Sequence, residues 1–168
     1  KDIPAADTVP SASAGANPAP QQPAQPAAPI TISGAQSLDP FGDNNEHPEL
    51  AGNLVDGDPS TEWYSRFYTS STMDSKKGIG VAVTLASPAR VSAIELQGTG
   101  NGGHVQIRAT SPEDPQGGTI LAEGSFAQGT TTFEFTPTET GSIVVWVTEL
   151  PKASDGLSKV TISEITLR

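Results

Sequence analysis

The chain has 168 residues, with 17 Gly, 15 Pro, no Cys, and 9 basic against 19 acidic side chains, giving a formal charge of −10. That length fits one ordinary domain plus some extra chain. The charge excludes nucleic acid and anionic membrane surfaces as partners, because both are held by Lys and Arg clusters that this chain lacks. The absence of Cys excludes a disulfide framework, Cys-ligated zinc and thiol catalysis.

In chain order, residues 1–30 hold seven of the fifteen prolines, interleaved with Ala, Gln and Ser, and only Ile3, Val9 and Ile30 are sizeable apolar residues. Nothing there offsets the entropy of ordering the chain, so the segment reads as a disordered, semi-rigid linker of partly polyproline II character. An SH3-type ligand is disfavoured, since no basic residue accompanies the prolines. Tethers of this composition commonly separate a membrane anchor from a domain outside the membrane. The chain begins at Lys1 with neither Met nor signal peptide, so it is expected to be a piece of a longer protein.

From residue 31 the dominant period is two, which predicts strands with one face on a core. The candidates are Ile30 to Ser37, Ile79 to Leu85, Val91 to Gln97, Val105 to Ala109, Ile120 to Phe126, Phe133 with Phe135, Ile143 to Val147, and Val160 to Leu167. Turn signals divide them at Ser87-Pro88, Gly98 to Gly103, Pro112 to Gly118, Gln128-Gly129 and Asp155-Gly156. Glu46 to Asn53 is the one short helical candidate. Residues 31–168 are therefore expected to form an all-β domain, an antiparallel two-sheet sandwich of jelly-roll or similar topology. The longest apolar run, Ile143 to Val147, is far too short to span a bilayer.

Two motifs fail their context. Gly98 to Gly103 matches G-x-G-x-x-G, but an alternating strand follows where the dinucleotide reading requires a helix. Asp56-Gly57-Asp58 resembles the start of an EF-hand, yet Thr61 and Phe67 stand where Gly and Glu are needed. There is no G-x-S-x-G, no H-E-x-x-H, and only His47 and His104 as imidazoles, so no enzyme is expected.

The long connection from residue 38 to 78 carries the informative chemistry. Between Asp39 and Glu62 lie seven carboxylates (Asp39, Asp43, Glu46, Glu49, Asp56, Asp58, Glu62), with no Lys or Arg before Arg66. A solvated acidic loop tolerates this by staying open, whereas a packed one needs a cation. Asp56 and Asp58, followed by Thr61, can turn several oxygens toward one point, which suits calcium better than magnesium. The alternative is a plain Asp-Gly turn with exposed acids.

Asn53 to Trp63 resembles the N-x-x-D-G-D-x-x-T-x-W segment of discoidin-like (galactose-binding-like, F5/8 type C) β-sandwich modules. Val160 to Leu167 is similar to their last strand, in which a Glu returns to the same corner. The resemblance implies a calcium ion held by the side chains of Asp56, Thr61 and Glu164, with Asn53 and Asp58 contributing at least backbone oxygens. Trp63 would then lie in the core beneath the loop. Asp39 to His47, Lys77 to Gly80 and Val144 to Leu150, with the tether, further resemble the C-terminal extracytoplasmic domain of actinobacterial MviN-type lipid II flippases. Those proteins join a transport domain, an intracellular pseudokinase, one membrane helix and such a module.

Trp63, Tyr64, Phe67 and Tyr68 are four of only nine aromatics, clustered beside Arg66. With Trp63 assigned to the core, Tyr64, Phe67 and Tyr68 are the candidate platforms and Arg66 a polar contact. Asn101, His104 and Asp155 join them if their loops converge. The alternative is that Tyr64 and Tyr68 cover the core edge. Phe126, Phe133, Phe135 and Trp146 read as core. The expected function is a non-catalytic binding module, tethered outside the cell membrane. It would contact cell-wall glycan or a lipid-linked peptidoglycan precursor. The alternative is a structural or protein-interaction domain of an envelope complex.

Overall fold

Alternating apolar residues in the second half of the chain make it a β-protein in the computed structural model, which describes residues 28–74 and 76–168. The Pro/Ala-rich linker expected over residues 1–30 lies almost wholly outside the described residues. Eight strands follow in order: β1 (Ile32–Leu38), β2 (Trp63–Tyr64), β3 (Ile79–Gly98), β4 (Gly102–Ala109), β5 (Thr119–Phe126), β6 (Gly129–Glu149), β7 (Thr161–Ile162) and β8 (Glu164–Leu167). The helical candidate near Glu46 is a 3₁₀ helix, Pro48–Val55. Among the described residues, no helix is long and apolar enough to cross a membrane.

Every strand pair is antiparallel. One six-stranded sheet has the order β1-β3-β6-β4-β5, with β8 added to β3, and β2 pairs with β7 in a separate ribbon. The first half of β3 pairs with β1 and the second half with β8, while β6 follows β3 along both halves. Ile79, Val81, Val83 and Leu85 share one core with Ile94, Leu96, Ile143, Val145, Val147, Ile165 and Leu167. The sheet thus folds over on itself into two layers, which is the jelly-roll sandwich expected from the alternation.

The structure corrects three boundaries. Ser87-Pro88 does not end a strand, and β3 runs through it; β6 likewise joins the Phe133-Phe135 segment to Ile143–Val147. Pro88 falls in the register break between Thr84 and Ala89, and Pro137 in the break between Val91 and Ala93. A proline lacks an N–H and is tolerated where the ladder is already interrupted. These prolines therefore mark the bends that carry the two long strands from one layer to the other. The predicted final strand is also split at Ser163, with β7 on β2 and β8 on β3.

Trp146 is fully buried as expected, but on the opposite face of β6 from the main core. It forms a second cluster with Leu38, Ala82 and Val144, and Phe41 lies edge-on to it at 6.3 Å. Gly80 makes room for this indole. A Cβ at Gly80 would lie 2.4 Å from the Val145 carbonyl and 3.1 Å from the Trp146 ring. Neither the ladder nor a fully buried indole can yield, so Gly80→Ala is expected to destabilise the domain by about 1–3 kcal/mol. Urea unfolding should show a lower midpoint with an unchanged slope.

Candidate functional site

The β2–β7 ribbon organises both candidate regions. Trp63 pairs with Ile162 and Tyr64 with Thr161. Antiparallel pairing therefore brings the loop just before β2 against the residues just after β7, which is why Glu164 meets the Asp56–Glu62 turn. Beyond the other end of the ribbon the contact continues, with Ser65 N donating to Val160 O (2.9 Å) and Tyr68 N to Ser158 O (3.0 Å). Trp63 is 1% exposed and belongs to the main core, as expected.

At the first end, the Asp56–Thr61 segment curls through side-chain-to-backbone bonds. Asp58 N donates to Asp56 Oδ1 (2.9 Å), Thr61 Oγ1 donates to Asp56 Oδ2, and Thr61 Oγ1 lies 3.0 Å from Asp58 O. Asp58 turns its own carboxylate outward, accepting from Ser60 N (2.9 Å) and Ser60 Oγ (2.6 Å). Asn53 Nδ2 donates to Glu62 O at 2.9 Å, which commits its amide to closing the turn. Of the five predicted metal residues, three thus converge through side chains: Asp56, Thr61 and Glu164. Asn53 Nδ2 and Asp58 Oδ1 are instead engaged in the loop's own hydrogen bonds.

Glu164 Oε1 is buried without a hydrogen-bond partner. Burial first, then the adjoining Asp56 carboxylate, pushes the Glu164 carboxyl up to about 7, against the pull of the Gly57 and Asp58 amides. The Thr61 hydroxyl, followed by the Asp58 amide, holds Asp56 below the usual range. Two carboxylates pressed together, with one oxygen orphaned, fit a hard cation. Among the described residues no group of three or more acidic or imidazole side chains is placed to hold a metal. Thr61, backbone carbonyls and water would have to complete the shell.

This geometry sets a pH dependence for the metal-free protein. Glu164 binds its proton more tightly folded than unfolded, so the folded state carries more protons between about pH 4.5 and 7. Stability should therefore fall as pH rises through that window, with the loss complete above it. Asp56 acts in the opposite sense, and only below its unperturbed value of 3.8. Because Glu164 is partly solvated, the loss is on the order of 1 kcal/mol after screening. Chelated protein melted at pH 5 and pH 8 checks it, and Glu164→Gln should flatten the difference.

At the other end of the ribbon, His47, Tyr64, Ser65, Arg66, Phe67 and Lys159 line a pocket of ≈ 400 Å³. Phe67 is 64% exposed and offers an apolar face. His47 Nδ1 lies 2.7 Å from Tyr64 O, so Nδ1 carries a proton and donates to that carbonyl. Arg66 is held along its inner edge, with Nε donating to Asn45 O and its backbone N to Glu46 Oε2, both at 2.6 Å. Lys159 Nζ sits 5.6 Å from the Tyr64 ring centroid and 2.7 Å from Asp155 Oδ2.

Three of the predicted ligand residues, Tyr64, Arg66 and Phe67, are thus brought together, and Asp155 joins them through Lys159. The loops do converge: the backbone of Asn101 bridges to Lys152, Lys152 to Ser158, and Ser158 to Tyr68. Asn101 contributes backbone pairing there. His104 does not line this pocket; its Nε2 faces Glu123 Oε1 at 3.5 Å on the β4–β5 pair. Tyr68 is the main correction. Its ring packs on the core edge, and its hydroxyl is taken by Glu46 Oε1 and by Lys76 Nζ (2.8 Å). Burial, then the Glu46 carboxylate, pushes that phenol up to about 12. His47 and Lys159 were missed, although the i,i+4 spacing of Asp155 and Lys159 was a readable signal.

The same corner corrects the reading of the acidic stretch. Asp39 and Glu46 are buried, and Lys76 Nζ reaches both, at 3.1 Å and 3.4 Å. Burial pulls Lys76 down, but its bonds to Tyr68 and Asp39 carry it above its ordinary value. For this half of the loop the neutralising cation is a side chain of the chain itself. Glu46 also accepts the Trp63 indole N–H on its carbonyl at 2.8 Å, so it ties the core to the pocket.

The fold defined by these layers is that of the galactose-binding-like carbohydrate-binding modules of family 32. The chain is similar to the family 32 module of AlyQ solved with 4,5-unsaturated mannuronic acid. The TM-score is 0.60 at 18% identity, over 84% of this chain and 98% of that one. It is similar as well to the family 32 module of NanJ from Clostridium perfringens in complex with galactose (TM-score 0.53, 21% identity, 82% and 92% covered). A pectin-binding carbohydrate-binding module matches with TM-score 0.57 at 18% identity, over 83% and 91%. No family model matches the sequence.

Proposed function

We propose that the chain is a non-catalytic glycan-binding module whose ligand site is the His47–Tyr64–Arg66–Phe67–Lys159 pocket. The carrying observation is the pairing of an exposed aromatic face, Phe67, with polar groups already oriented by their own partners. Sugars combine apolar C–H faces with hydroxyls that both donate and accept, and this lining answers each. Pre-set side chains also limit the entropy lost on binding. The solved complexes of similar modules with galactose and with 4,5-unsaturated mannuronic acid support the reading.

Calcium at Asp56, Thr61 and Glu164 would act from the far end of the ribbon, where it would neutralise the adjoining carboxylates and stiffen the turn preceding β2. On the sequence resemblance, the module would lie outside the cell membrane, at the end of the Pro/Ala-rich tether of an MviN-type envelope protein. The ligand there would be cell-wall glycan or a lipid-linked peptidoglycan precursor. Titration with muropeptides and simple sugars, followed by NMR, tests the proposal. Shifts should centre on His47, Tyr64 and Phe67, and Phe67→Ala should weaken binding at least tenfold. If no sugar shifts these signals at millimolar concentration, the module is a structural or protein-interaction domain instead.

A further inference from the structure

We infer that this pocket selects a carboxylate-bearing sugar over a neutral one; the inference rests on the glycan-binding reading above. Its lining holds two of the nine Lys and Arg side chains, with His47, and no carboxylate, in a chain of net charge −10. A basic lining is therefore a local reversal of the surface around it. At physiological ionic strength screening acts over roughly 8 Å, so a ligand seated in the pocket responds to the lining and its immediate partners, Asp155 and Glu46, more than to the acids farther off.

Arg66 is the central group. Its Nε is committed to Asn45 O at 2.6 Å. Among the described residues no carboxylate forms a salt bridge with its guanidinium. Glu46 lies nearby, but its Oε2 accepts the Arg66 backbone N–H, and Oε1 is engaged by Tyr68 and Lys76. The terminal guanidinium nitrogens form a planar fork that matches a carboxylate and is poorly used by a hydroxyl. Lys159 lies over the Tyr64 ring, and its one salt bridge among the described residues is to Asp155, whose side chain is 45% exposed. An exposed pair of that kind is weak, so Lys159 can turn to a ligand carboxylate at little loss.

Two matched pairs of sugars test this: galacturonic acid against galactose, and N-acetylmuramic acid against N-acetylglucosamine. Each pair differs in its carboxylate-bearing group, and comparing the pairs separates a ring carboxylate from a lactyl one. The acid of at least one pair should bind fivefold or more tightly than its neutral partner, and Arg66→Gln should bring that ratio toward one. Arg66 is exposed, so the variant should melt with the parent. Ratios below fivefold in both pairs, or a ratio retained in Arg66→Gln, overturn the inference but leave glycan binding standing. If neither acid nor neutral sugar shifts the His47 and Tyr64 signals, both readings fail together.

Discussion

Replacing Lys76 with Met should destabilise the domain by about 3–5 kcal/mol, since it strips the shared cation from two buried carboxylates. Asp39 and Glu46 have side chains with no exposed area, and Lys76 Nζ lies within 3.4 Å of both. The Met stem preserves most of the packing, which leaves the loss of charge as the main effect. Domains of this size are stable by only about 5–15 kcal/mol, so the variant should be near the edge of folding at neutral pH. Urea unfolding measures the loss. Adding Glu46→Gln should recover part of it by removing one uncompensated charge. A single variant within about 1 kcal/mol of the parent would show that water or another group serves these acids.

Calcium should raise the melting temperature of chelator-treated protein. A ligand that binds only the folded state contributes about 2.7 kcal/mol at one hundred times its dissociation constant. For about 140 ordered residues this corresponds to roughly 8–12 °C. Asp56→Ala should abolish the increment. Glu164→Gln should do so too, yet leave the chelated protein slightly more stable than the parent above pH 7, because the orphaned carboxylate next to Asp56 is gone. Protons compete for the same oxygens, so the calcium increment should be larger at pH 8 than at pH 5. Melting indifferent to calcium, chelator and these variants would make the corner a plain turn.

The legible parts of the site were the local ones. Asp56, Asp58 and Thr61 are joined by bonds spanning two to five residues, and short Asx-type contacts of that kind are encoded within the turn itself. Trp63 and Glu164 were placed by resemblance, and the β2–β7 register then accounts for their meeting. Tyr68 was misread because its neighbours in sequence say nothing of its partners. Glu46 and Lys76 approach it from 22 residues before and 8 residues after. His47 enters the pocket because its backbone adopts a left-handed conformation (φ 51), a turn that the flanking acids gave no reason to expect.

By itself, the sequence determined the class of fold and the inward face of nearly every strand, because a period of two leaves one burial solution per segment. It also determined that acidity concentrates between Asp39 and Glu62. Only the tertiary structure decided how the charge is divided. Lys76 answers Asp39 and Glu46 across 37 and 30 residues, while Asp56 and Glu164 are left facing each other. Only the tertiary structure made Pro88 and Pro137 bends rather than strand ends, and placed Arg66 and Lys159 around one pocket. The physical reason is common to all of these. Hydrophobic pattern is a property of each segment, whereas charge compensation and ladder breaks belong to pairs of segments that meet only on folding.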